Sequence, residues 1–125
     1  MNDAAPRYGI VQVDNARLQE LLDAGVVLVD VRRPEEWHAT GIVAGSRLLT
    51  FFDRHGHSDP ATWLRQLAEF SPPGAPLALI CRTGHRTGMI CDFLLETTGY
   101  RTLYNVAGGI HGWLAEKRPV AAVES

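Results

Sequence analysis

The chain has 125 residues, 46% of them hydrophobic and 21% charged, and a net charge of −2. That describes a single domain able to bury its own core, without the basic excess that a nucleic acid or an anionic membrane would attract. No apolar run approaches the ~18 residues of a membrane span. The first seven residues lack a basic segment leading into an apolar stretch, so no secretory signal is expected.

Residues 1–9 read as an N-terminal extension, 10–120 as the domain and 121–125 as a loose tail. Ile10–Val13 predicts a short strand. Asp14 caps a helix carrying Leu18, Leu21 and Leu22, which Gly25 ends. Val26–Val31, nearly continuous and β-branched, predicts a strand buried on both faces. Pro34 opens a short helix with Glu35 and Glu36 in its first turn. Arg47–Leu49 reads as a brief extended piece. Asp59-Pro60 caps a helix bearing Trp63, Leu64, Leu67 and Phe70, which Ser71-Pro72-Pro73-Gly74 breaks. Leu77–Ile80 predicts a strand. A helix follows with Met89, Ile90, Phe93 and Leu94 on its buried side, and Gly99 stops it. Thr102–Val106 predicts the last strand, and Gly108-Gly109 leads into a helix around Trp113 and Leu114. Alternation at this spacing predicts an α/β domain whose sheet is mostly parallel, with helices on both faces. Sites in such sheets lie beyond the carboxyl ends of the strands.

One such end stands out. The apolar strand Leu77–Ile80 runs into Cys81, and Arg82-Thr83-Gly84-His85-Arg86 follows before the next helix. A cysteine that merely fills a core is flanked by apolar residues; here five residues rich in positive charge follow it. Gly84 permits the positive φ that turns successive N–H groups inward. A thiol above a helix N-terminus with two arginines nearby is placed where the thiolate is stabilised. Cys91, between Ile90 and Phe93, reads instead as a buried structural thiol. Ten residues separate the two cysteines, which matches neither a zinc spacing nor a disulfide framework and suits a reducing cytoplasm. His55-Gly56-His57 could offer two imidazoles to a metal, but no third ligand is near, so a solvated loop is expected and no metal.

Three segments, in this order and spacing, resemble single-domain rhodaneses, the thiosulfate-type sulfurtransferases, over residues 10–120. They are Val29-Asp30-Val31-Arg32-Arg33-Pro34-Glu35-Glu36-Trp37, Cys81-Arg82-Thr83-Gly84-His85-Arg86-Thr87 and Tyr104-Asn105-Val106-Ala107-Gly108-Gly109-Ile110-His111-Gly112-Trp113. The resemblance implies a rhodanese-like five-stranded, mostly parallel sheet and a catalytic Cys81 after the fourth strand that carries a persulfide. Cys81-Arg82 looks like the thiosulfate-using branch, whereas the mercaptopyruvate branch has Cys-Gly there. Many members read Gly-His-Ile-Pro-Gly-Ala where this chain has Thr40-Gly41-Ile42-Val43-Ala44-Gly45-Ser46; that segment is scaffold in the family, and altered contacts at the pocket rim are expected.

The chemistry of the residues is consistent with this. A thiolate can attack the outer sulfur of thiosulfate, and sulfite leaves as a stable anion, so no strong general acid and no cofactor are needed. The loop from Arg82 through Thr83, Gly84 and His85 to Arg86 would bind the donor, with Arg86 holding its oxygens. Arg82 could do the same, or brace the loop by pairing with a carboxylate such as Glu36. Asp30 and Arg32 read as a supporting ion pair. The expected partners are a small sulfur donor and a thiol or cyanide acceptor, with a protein acceptor as the alternative. A phosphatase reading is disfavoured, because those families place an arginine six residues after the cysteine, where this chain has Thr87. A Cys81–Cys91 disulfide would need its Cα atoms within about 4.4–6.8 Å, and the intervening helix is expected to hold them further apart.

Overall fold

The computed structural model describes residues 9–123, which leaves residues 1–8 of the expected extension and 124–125 of the expected tail outside it. Five strands alternate with five helices: β1 Gly9–Val13, α1 Asn15–Asp23, β2 Val27–Asp30, α2 Pro34–Thr40, β3 Arg47–Leu48, α3 Pro60–Ala68, β4 Leu77–Ile80, α4 His85–Thr97, β5 Thr102–Val106 and α5 Gly109–Ala115. The helix starts follow local chemistry. Asp14 accepts the Arg17 N–H at 2.8 Å, Asp59 accepts the Thr62 N–H at 3.2 Å, and Pro34 and Pro60 occupy first-turn positions where a missing N–H costs nothing.

The strands form one sheet in the order β1-β5-β4-β2-β3, and every pairing is parallel. β4 is therefore central, and its residues alternate between the two faces. Leu77, Leu79 and Cys81 pack with Trp63, Leu67, Ile90 and Leu94 of α3 and α4, while Ala78 and Ile80 pack with Leu18, Leu21, Ile110 and Trp113 of α1 and α5. β2 and β4 are neighbours, yet the chain leaves β2 toward β3 at one edge and leaves β4 toward β5 on the other side. That divergence opens a crevice at their carboxyl ends, the position where α/β sheets bind ligands. Cys81 is the first residue after β4.

Two local expectations change. Met89 is 46% exposed, and α4 buries Thr87, Ile90, Cys91 and Leu94. Helical spacing from an inward Thr87 selects 90, 91 and 94 and turns Met89 outward. The tail, expected to be loose from Ala121 onward, is still held there: Ala121 exchanges backbone hydrogen bonds with Ile42, at 2.7 and 2.9 Å. The Trp113 indole N–H donates to the Pro119 carbonyl at 2.8 Å, just before the chain reaches the carboxyl end of α2 at Gly41 and Ile42.

Candidate active site

Six residues, Cys81 to Arg86, carry the chain from β4 into α4. Gly84 has φ +93°, a conformation that L side chains rarely adopt, and a Cβ there would collide with the Ala107 carbonyl. Gly109 has φ +58°, and a Cβ there would collide with the Arg82 carbonyl and Thr83 N. The two glycines let the loop lie directly on the first turn of α5. Ile110 N–H donates to the Cys81 carbonyl at 2.9 Å and His111 N–H to the Arg82 carbonyl at 3.1 Å. The loop carbonyls thus turn toward α5, while Gly84 N–H turns toward the sulfur, 3.2 Å from Cys81 Sγ.

Cys81 is 1% exposed. The sequence places it at the mouth of a loop, and the structure sets it deeper, at the loop's base, because its side chain continues the β4 alternation into the α4-side core. Among the basic residues that follow, Arg82 and His85 are exposed and Arg86 is half-buried; Thr83 is exposed beside them.

The arginine pairing differs from the expectation. Arg86, not Arg82, holds Glu36: its two terminal nitrogens lie 2.8 and 2.7 Å from Oε1 and Oε2, a bidentate bridge between α4 and α2. Glu36 also accepts the Arg33 N–H at 3.1 Å, closing the first turn of α2. Burial alone would raise the Glu36 carboxyl, but the Arg86 and Arg33 hydrogen bonds outweigh it and bring it down to about 2. The Arg86 guanidinium is held higher still by its hydrogen bonds to Glu36, against the effect of burial, with the charges of Glu36, Cys81 and Asp30 adding to the rise. Arg82 instead donates from Nε to His111 Nε2 at 3.2 Å, which uses one of its five N–H groups on an imidazole.

Asp30 and Arg32 brace the floor. Both are essentially fully buried, with Arg32 at 1% and Asp30 at 0%. Arg32 Nε and Nη2 contact the Asp30 carboxylate at 3.0 and 2.9 Å, Nη1 reaches Thr40 Oγ1 at 2.9 Å and the Glu36 carbonyl at 3.4 Å, and Nη2 reaches the Gly41 carbonyl at 3.1 Å. All five guanidinium donors have partners. The pair ties the end of β2 to the carboxyl end of α2, so Glu36 reaches Arg86 from a fixed helix.

Two buried residues given no role by the sequence reading join the site. Thr87 Oγ1 lies 3.4 Å from Cys81 Sγ and donates to Asn105 Oδ1, and Asn105 Nδ2 donates to Gln12 Oε1 at 2.9 Å and to the Gly84 carbonyl at 3.2 Å. The available signal was that both are polar residues at positions patterned for burial. The His55-His57 segment is a turn organised by Asp53, whose Oδ1 accepts both backbone N–H groups at 2.8 and 2.9 Å. No group of three or more metal-ligand side chains occurs among the described residues. A cavity of about 370 Å³ opens beside Arg86, lined also by Arg33, Arg54, Phe52 and Met89.

A parallel α/β sheet with a buried cysteine at its switch point, under a loop whose N–H faces the sulfur, defines a cysteine-loop α/β protein. The chain belongs to the rhodanese-like domain family, whose sequence profile matches residues 14–116. Rhodanese-like domain-containing protein 17 of Arabidopsis thaliana is 26% identical over 115 residues, covering 89% of this chain and 72% of that protein. A rhodanese-related protein from Thermoplasma volcanium superposes with a TM-score of 0.68 at 26% identity, over 90% of this chain and 99% of that one. The polysulfide-sulfur transferase homodimer of Wolinella succinogenes superposes with a TM-score of 0.70 at 25% identity, over 92% of this chain and 80% of that one.

Proposed function

We propose that the protein is a sulfurtransferase working through a Cys81 persulfide, with thiosulfate or a similar sulfane-sulfur compound as donor. The observation that carries this is Cys81 Sγ at the base of the loop, with Gly84 N–H 3.2 Å away and two arginines in the same six residues. The Cys81 thiolate attacks the outer sulfur of thiosulfate. An Sγ–S bond forms, the bond to the sulfonyl sulfur breaks, and sulfite leaves with the electron pair. Cyanide or a thiolate then takes the outer sulfur, leaving as thiocyanate or a new persulfide, and the thiolate is regenerated. The loop contributes electrostatic stabilisation of sulfur anions before and after transfer.

The arginine roles follow from their partners. Arg86 is engaged with Glu36 and holds the loop to α2, while Arg82, exposed and bound among the described residues to His111, meets the donor's oxygens. Thr83 and His85 line the approach. Asp30, Arg32 and Glu36 support the loop from below. Both cysteines are free thiols, which suits a reducing compartment such as the cytoplasm. Among the described residues no helix is long and apolar enough to cross a membrane.

Steady-state turnover of thiosulfate with cyanide, followed as thiocyanate, tests the reading. The proposal expects catalysis that disappears in Cys81→Ser. Persulfide formation without turnover of free thiosulfate would favour a relay that hands sulfur to a partner protein.

A further inference from the structure

The Thr87 hydroxyl has one proton and three acceptors within reach. They are Asn105 Oδ1, the nearest, the Gly84 carbonyl at 3.3 Å and Cys81 Sγ at 3.4 Å. The Gly84 carbonyl is already served by Gly88 N–H at 3.1 Å and by Asn105 Nδ2 at 3.2 Å. Asn105 cannot turn its amide over, because Nδ2 faces two oxygens, Gln12 Oε1 and the Gly84 carbonyl. Its Oδ1 therefore faces Thr87 and takes the hydroxyl proton. Thr87 is 0% and Asn105 4% exposed, so bulk water cannot substitute for either group. With its O–H directed at Asn105 Oδ1, Thr87 Oγ1 turns a lone pair toward the sulfur, where it can accept the Cys81 S–H.

We propose that Asn105 and the Cys81 thiolate compete for the Thr87 proton, so that Asn105 is a positioning residue governing how readily Cys81 gives up its own. When the thiol loses its proton to a base in solution, the Thr87 O–H turns from Asn105 Oδ1 to Sγ, and the buried amide oxygen loses its donor. The stronger charge-assisted bond is thereby offset by an unsatisfied acceptor. The inference rests on the sulfur-transfer reading only in taking Cys81 as the nucleophile.

Alkylation of the full chain by iodoacetamide at mildly acidic pH, with Cys81 followed by mass spectrometry, tests the competition without requiring turnover. Asn105→Leu frees the Thr87 proton for the thiolate, and Cys81 is expected to react about tenfold faster. Added to Thr87→Val, the same change is expected to do nothing; added to Thr87→Ser, which keeps the hydroxyl, it restores the acceleration. A folded Asn105→Leu protein that reacts no faster, or acceleration that persists with Thr87→Val, overturns the proposal. The infrared S–H stretch supplies a second measurement that does not depend on any Asn105 variant folding. Thr87→Val removes the acceptor, so the Cys81 band, assigned by its loss in Cys81→Ser, is expected to move to higher frequency. An unmoved band overturns the proposal. Neither measurement reads sulfur transfer, so a failed cyanide assay and a failed competition remain separate results.

Discussion

At the scale of single residues, two arginines four positions apart do different work, and their partners decide which does what. Arg82→Ala removes the exposed cation and is expected to raise KM for thiosulfate about tenfold while leaving the melting temperature nearly unchanged. Arg86→Ala strands Glu36 between α2 and α4 and is expected to cost roughly 2 kcal/mol of stability at neutral pH, read by denaturant titration. That loss carries its own pH signature. The Glu36 carboxyl is lowered from 4.5 to about 2 in the fold, so its stabilisation is fully present above pH 4.5 and is lost as pH falls toward 2. The stability gap between the native protein and Arg86→Ala is therefore expected to close across that interval; a gap constant with pH would contradict the ion-pair account. Arg32 sits where nothing can replace its five bonds, and Arg32→Ala is expected to cost about 3–5 kcal/mol by leaving Asp30 buried and uncompensated.

At the scale of elements, the loop is as much a product of α5 as of β4. Gly109→Ala would press a methyl group into the Arg82–Thr83 peptide at φ +58°. It is expected to cost at least about 2 kcal/mol and to depress kcat more than KM, since it displaces Gly84 N–H from the sulfur. Near-native kcat in that variant would show the loop to be self-supporting. The helices and strands were legible in the sequence because their signals are local: Asp14, Pro34 and Asp59 mark starts, and the Val26–Val31 and Leu77–Ile80 runs mark buried strands. The turn out of β4 at Cys81 was legible for the same reason, since charge against an apolar strand is visible without a fold, but its extent was not: His85 and Arg86, expected in the loop, form the first turn of α4. Which arginine meets Glu36 was not, because that depends on where α4 begins. With His85 as its first residue, Arg86 lies on the turn facing α2 and Met89 on the outer side. Nor was Thr87–Asn105, which exists only once β5 lies beside β4 in register.

At the scale of the whole molecule, the fold separates its two thiols by environment. Burial, with smaller contributions from the charges of Asp92 and Cys81, pushes the Cys91 thiol up to about 12, and Cys91 is 0% exposed in the core shared by α3, α4 and the sheet. Cys91 is expected to be alkylated only on unfolding, so its labelling should follow the denaturant transition, whereas Cys81 labels in the native state and is protected by thiosulfate or sulfite. Cys91 labelling well before the transition would show a core that opens locally. If Cys81 carries sulfur as a persulfide, intact-mass spectrometry after treatment with thiosulfate is expected to show one added sulfur per chain, removed by cyanide and absent from Cys81→Ser. A native protein whose Cys81 is alkylated readily, yet which gains no sulfur from thiosulfate or polysulfide, would contradict the persulfide reading.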